Sequence, residues 1–281
     1  MRALERLSGR MTGALRRPAK RWGALAAMLL LGGGLVLAQF SYRGRMLPLE
    51  PGFVPEPEDG DVPAEFYFAR LAYSDPWGDR VRERPWMIDS PAAERHFLQG
   101  LRRLSNVNAR SKEVYVNASE DDLFDYPWLY VVEPGHWDLT EQEAEKLREY
   151  MLRGGFMIFD DFHGSYEWAF FMRGMRKIFP ERPVVDLKSD DEVFHVLYDT
   201  LPQEQIPGLQ FLASGQTFEY DGKIPHWRGI YDDEGRLMAA INFNMDLGDA
   251  WEHADWPEYP ERYTAMAYRF GINYIIYSMT H

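Results

Sequence analysis

The stretch Trp128 to Glu167, WLYVVEPGHWDLTEQEAEKLREYMLRGGFMIFDDFHGSYE, decides the fold. Trp128 to Val132 and Phe156 to Asp160 are short, almost uninterrupted apolar runs of strand length, the pattern of strands buried on both faces of a parallel sheet. Between them, Thr140 and Glu143 stand at capping-box spacing, Leu147 and Met151 fall on one helical face, and Gly154-Gly155 supplies the stop. Strand, helix and strand in this length predict a crossover unit with parallel strands. Beyond it, Ser165 is the expected cap of another helix. Its apolar positions Trp168, Phe171, Met172, Met175, Ile178 and Phe179 recur with a period near 3.6, until Pro180 ends it.

The alternation continues in both directions. Upstream, Phe66 to Leu71 reads as a strand, and Ser90-Pro91 as an N-cap with proline at the first helical position. Ala93, Phe97, Leu101 and Leu104 then recur at helical spacing, and Val114 to Val116 is another strand. Downstream, Val184 to Leu187 and Phe194 to Leu197 read as short strands. Trp227 to Tyr231 and Leu237 to Phe243 flank the turn Asp232-Asp233-Glu234-Gly235 and predict a hairpin. A last helix from about Arg262 places Tyr263, Met266, Phe270 and Tyr274 on one stripe. The whole predicts an α/β domain, a mostly parallel sheet with helices on both faces, over residues 65–281.

The chain of 281 residues carries a net charge of −13, unevenly spread. Residues 1–21 hold seven arginines and lysines against Glu5 alone, so this basic tail is +6 and the remainder −19. So acidic a domain repels phosphate backbones, which argues against nucleic acid as a partner. With no cysteine, the chain has no disulfide framework, thiol nucleophile, thiolate metal site or lipid-acceptor thiol.

Residues 22–40, WGALAAMLLLGGGLVLAQF, are free of charge and span about 28 Å as one apolar helix, near the thickness of a bilayer core. Basic residues precede this segment and acidic ones follow. The expected arrangement is therefore a cytoplasmic tail, a transmembrane anchor in the cell inner membrane, and a periplasmic domain. The alternative is a signal peptide, since Val36-Leu37-Ala38 suits cleavage near Ala38 and release to the periplasm. Arg16-Arg17 lacks the usual apolar follow-on of a twin-arginine signal and reads as positive flank. Residues 41–64, rich in proline and acid, read as an extended linker, with an ordered strap over the domain surface as the alternative.

Parallel sheets place ligands at the carboxyl ends of their strands, which directs attention to the polar loops there. After the Phe156 strand come Asp160, Asp161 and His163, a candidate set for a divalent metal or for a base and its partner. The alternative is that Asp160 or Asp161 caps the next helix while His163 meets a backbone carbonyl. After the Trp128 strand come Glu133 and His136, expected to converge with Asp160, Asp161 and His163 if the two strands are neighbours. The alternative there is a Pro-Gly turn with Trp137 packed on the domain. Asp246 to His253 is a third polar stretch, whose Asp249, Trp251 and Glu252 are candidates to bind a cation or, with Trp137, a sugar; the alternative is a solvated loop with one buried tryptophan. No GxSxG elbow, phosphate-binding loop or GxGxxG follows a strand, so serine hydrolase, nucleotidase and dinucleotide readings lack support.

The runs FYFARLAYSD, HFLQGLRRLSNVNAR, the long run from Asp122 to Met172, DDEVFHVLYD and NFNMDLGDAWEH resemble the bacterial "domain of unknown function 4159" family over roughly residues 65 to 280. The resemblance implies a flavodoxin-like fold related to class I glutamine amidotransferases. It also implies partners among envelope proteins of a MoxR-type ATPase and von Willebrand factor A system. An amidotransferase needs a cysteine at its elbow, so what is expected is a ligand- or partner-binding envelope module. The alternative is a metal-dependent hydrolase built on the Asp/His/Glu cluster.

Overall fold

A computed structural model describes residues 41–42, 45–46, 55–77, 84–200 and 204–281. The predicted apolar helix at 22–40 lies outside them. Among the described residues no helix is long and apolar enough to cross a membrane. The chain divides into Met1–Pro48 and Leu49–His281. The first contains a short antiparallel pair, Ser41–Tyr42 with Arg45–Met46.

The second unit is the α/β domain. Its strands are β1 (Ala69–Ala72), β2 (Val114–Asn117), β3 (Trp128–Val132), β4 (Phe156–Asp160), β5 (Val185–Asp186), β6 (His226–Tyr231) and β7 (Leu237–Phe243). They form one seven-stranded sheet in the order β2-β1-β3-β4-β7-β6-β5. The first five in that order are mutually parallel. The β6–β7 hairpin then adds β6 antiparallel, with β5 antiparallel to it at the edge. The helices are α1 (Ala92–Leu104), α2 (Glu141–Leu152), α3 (Gly164–Ile178), α4 (Gln210–Ser214), α5 (Leu247–Glu252) and α6 (Glu261–Thr280).

Alternate side chains of each central strand enter opposite cores, as the period of two requires. Trp128, Tyr130, Val132, Phe156 and Ile158 pack with Phe97 and Leu101 of α1, Trp251 of α5 and Phe270 and Tyr274 of α6. Leu129, Val131, Met157 and Phe159 pack with Leu147 and Met151 of α2 and Phe171 and Met175 of α3. Helices therefore cover both faces. The capping box that starts α2 is complete: Glu143 N–H donates to Thr140 Oγ1 at 3.2 Å, and Thr140 N–H to Glu143 Oε2 at 2.7 Å.

Several local expectations shift. The first strand begins at Ala69, because Phe66 makes only a single bridge, to Ala109. Ser90 does not cap α1. Its hydroxyl bonds Tyr115 Oη and Glu94 Oε1, and the helix starts behind Pro91. Ser165 does not cap α3 either, since His163 is the cap residue and Glu167 Oε2 accepts its N–H at 2.6 Å. Phe194 to Leu197 is not a strand: Phe194 ends a 3-10 turn, Glu192–Phe194, and His195 caps it. The buried Asn273 amide of α6 binds both the N–H and the C=O of Tyr198, satisfying backbone groups that a strand would pair with a neighbour. Residues 56–61 lie on the domain surface, where Asp59 pairs with Arg102 at 2.8 Å, Asp61 with Arg110 at 3.0 Å, and Glu56 with Lys112.

Candidate functional site

The carboxyl ends of β1, β3, β4 and β7 share one edge, and the backbone is most strained there. Asp89, Glu133, Asp161, Tyr220 and Asn244 have φ between 47° and 64° and are the non-glycine residues with positive φ among those described. Asp89 follows β1, Glu133 follows β3, Asp161 follows β4 and Asn244 follows β7. Tyr220 precedes β6, whose first residue pairs with the last of β7. Such conformations cost free energy that the surroundings must offset, and they concentrate where side chains are aimed for function.

Hydrogen bonds between loops hold this edge. Asp161 N–H donates to Met245 C=O at 3.1 Å, and Asn244 N–H to Phe162 C=O at 3.1 Å. The Asn244 side chain accepts from Gly164 N–H at 2.8 Å and donates to Ile224 C=O at 2.7 Å. The loop carrying Asp89 is anchored by Arg70, which pairs with Glu94 and donates to the carbonyls of Trp86 and Ile88.

Asp160 and Asp161, adjacent in sequence, have different tasks. Asp160 is fully buried, and its Oδ2 accepts from Tyr130 Oη at 2.8 Å and from the N–H groups of Leu247 and Gly248 at 2.9 and 3.0 Å. It thus pins the first turn of α5, where unpaired amides and the helix dipole favour an anion. Burial outweighs these bonds and pushes its carboxyl up to about 7. Asp161 meets Asp89 and Asp246, and one carboxylate oxygen from each lies within 4.8 Å of the others. Asp161 and Asp246 are buried, Asp89 partly so. All three carboxyls are pushed well above their ordinary range, first by burial and then by their negative neighbours.

His163 places Nε2 3.3 Å from Asp161 Oδ1, and burial lowers its imidazole to about 4, so it is neutral at physiological pH. Glu133 and His136 do come together, with Glu133 Oε2 2.6 Å from His136 Nδ1. The third member of that group is Glu167, 3.9 Å from His136 Nε2, rather than Asp160, Asp161 or His163. Glu167 is pushed up to about 7, mainly by burial. The five residues expected around one metal are thus divided. Asp161 joins Asp89 and Asp246, Glu133 and His136 join Glu167, Asp160 locks a helix, and His163 contacts Asp161.

Asp249 and Glu252 lie on α5, and His253, which caps its end, joins them in a further cluster. Burial and the nearby Asp249 carboxylate push Glu252 up to about 7. Trp251 is no sugar platform: it is fully buried against Phe97, with ring centroids 4.5 Å apart. Trp137 is likewise buried, stacked on Phe171 at 5.5 Å. Asp89 lies outside the polar stretches read from the sequence, while Asp246, Glu167 and His253 lie within them without being singled out as ligands. Of these, only the i, i+3, i+4 spacing of Asp249, Glu252 and His253 is a local signal.

Half of the buried side-chain polar atoms without a hydrogen-bond partner, among the described residues, belong to Asp89, Asp160, His163, Gln210 and His253. Native interiors rarely leave such groups unsatisfied. A groove of about 1220 Å³ lies elsewhere, between residues 55–59, α1 and α6, and its lining lacks these carboxylates.

The family model for a domain of unknown function, DUF4159, matches residues 67–279. No curated protein matches the chain.

Proposed function

The chain belongs to the DUF4159 family, and from that premise we propose that it is an exported envelope module that binds a hard divalent cation through Asp89, Asp161 and Asp246. The cation would serve to hold a ligand or partner at the carboxyl edge of the sheet. The observation that carries this reading is the convergence of three carboxylates within 4.8 Å in a largely buried setting. Arg70 offsets that negative charge only in part, being itself engaged by Glu94 and two backbone carbonyls. Bringing like charges together out of water is costly, and a cation with all-oxygen ligands removes the cost.

The parallel order β2-β1-β3-β4, extended by β7, supports the flavodoxin-like, amidotransferase-related reading. The chain has no cysteine to act as that fold's nucleophile. Asp161 stands instead at a strained strand-to-helix corner, with φ of 54°. The basic tail and the uncharged segment 22–40 support export, and the envelope ATPase and von Willebrand factor A proteins implied by the family are the proposed partners. A hydrolytic version of this reading is favoured by one observation: Glu167, held near neutrality 3.9 Å from His136, has the protonation balance of a general acid or base.

The test is equilibrium dialysis of the purified full-length chain against Ca²⁺, Mg²⁺ or Mn²⁺ after chelator treatment. One ion per chain is expected at this site, lost in Asp161→Asn. If the wild-type chain takes up no such ion, or Asp161→Asn takes up as much, the reading is wrong.

A further inference from the structure

We infer that Asp249, Glu252 and His253 form a second metal centre, suited to a borderline divalent ion of the zinc class. The argument begins with spacing. Asp249 and Glu252 stand at i and i+3 in α5, and His253, the residue that caps its end, still donates its N–H to the Asp249 carbonyl at 3.0 Å, so the three fall on one face. His253 Nε2 lies 4.0 Å from Asp249 Oδ1, and Nδ1 lies 3.5 Å from Glu252 Oε2. One ligand atom from each residue falls within 4.8 Å of the other two. Bonds of about 2.0–2.2 Å to a shared ion would draw the donors slightly closer, by small side-chain rotations.

The imidazole is the independent observation. His253 is 2% exposed, yet neither ring nitrogen has a hydrogen-bond partner. A neutral imidazole carries one N–H donor and one lone pair, and burying both unmet is costly. The surroundings hold the group in place. Trp256 stacks on the His253 ring at 4.2 Å, and Leu209 N–H binds Asp249 Oδ2, leaving Oδ1 toward the imidazole. His96 of α1 donates from Nδ1 to the Glu252 carbonyl at 2.9 Å, fixing the end of α5.

Donor chemistry separates the two centres. Asp89, Asp161 and Asp246 offer oxygen alone, which suits Ca²⁺, Mg²⁺ or Mn²⁺, whereas an imidazole with carboxylates suits zinc or its spectroscopic stand-in cobalt. The two centres adjoin, Asp249 N–H donating to Asp246 Oδ1 at 2.7 Å, but they share no ligand, so the second can fail without the first.

The experiment is a Co²⁺ titration of the chelator-treated full-length chain, followed by visible absorption. One Co²⁺ per chain is expected to give a ligand-field band that Zn²⁺ abolishes. His253→Ala should remove the band, Glu252→Gln should weaken Co²⁺ at least 10-fold, and Asp161→Asn should leave it in place. No band in the wild-type chain overturns the inference, and this is also the result if His253 is an imidazolium paired with the two carboxylates. A band that persists in His253→Ala overturns it too. Should His253→Ala fail to fold by circular dichroism, Glu252→Gln decides, and unchanged Co²⁺ affinity there is equally fatal.

Discussion

Gly248→Ala separates the fold of the carboxyl edge from its cation chemistry. Gly248 lies in the first turn of α5, and a methyl group placed on it would sit 2.4 Å from Asp89 Oδ2 and 2.9 Å from Tyr130 Oη. Carbon and oxygen rarely approach closer than about 3.3 Å, so Tyr130 Oη, bonded to Asp160, must give by a few tenths of an ångström, and Asp89 Oδ2 must retreat by about 1 Å. It can do so cheaply, being the end of a rotatable side chain with no hydrogen bond to break. Alanine in a helix gains about 0.5–1 kcal/mol over glycine, which offsets most of the crowding. The net change in stability should therefore stay within about 1 kcal/mol. The cation is less tolerant. Ligand distances hold to roughly 0.2 Å, so the retreat removes Asp89 from the site. Outer-shell changes alone weaken metal sites 10- to 100-fold, and losing a direct ligand should reach at least the upper figure, about 2.7 kcal/mol. Urea unfolding and isothermal titration with Mn²⁺ measure the two quantities on one preparation. Mn²⁺ affinity within about twofold of wild type, at unchanged stability, would refute the reasoning.

Asp161 supplies a pH prediction. Its carboxyl is pushed up by burial and by Glu133 and Asp89, so the metal-free fold binds more protons than the unfolded chain at pH values between the unfolded and folded pKa. Stability is then greatest below about pH 4 for this group and falls as the pH rises toward the folded value. Thermal melts of the chelated protein should show that decline, with a shallower one in Asp161→Asn, and an equally steep decline in the variant would exclude Asp161 as a source. Thr140→Ala removes the hydroxyl that caps α2 and should cost about 1 kcal/mol in urea unfolding without altering cation uptake. Expressed in a Gram-negative host, the full-length chain should sediment with the inner membrane at its unprocessed mass. A soluble cytoplasmic product of that mass would contradict export, and trimming after Ala38 would replace the anchor with a signal peptide.

The elements legible in the sequence were those specified locally. The β3 and β4 runs are apolar because both faces of the sheet are covered, and Thr140 and Glu143 cap a helix from within three residues of each other. The hairpin around Asp232 is similarly self-contained. What stayed hidden depends on distant partners. Asp160 looks like a loop carboxylate, yet its main role is to receive amides from Leu247 and Gly248, 87 and 88 residues away. Asp89 sits beside the residues read as a helix start, and only the folded sheet brings it to Asp161 and Asp246. Glu167 makes a local bond, reaching back four residues to His163, but that it faces His136 shows only once β3 and β4 are paired.

Anomalous scattering from crystals soaked in Mn²⁺ tests the cation reading at the atoms themselves. A difference peak about 2.2 Å from oxygens of Asp89, Asp161 and Asp246 is the predicted result. Fully ordered carboxylates with no peak between them, at an ion concentration that saturates ordinary sites, would contradict it.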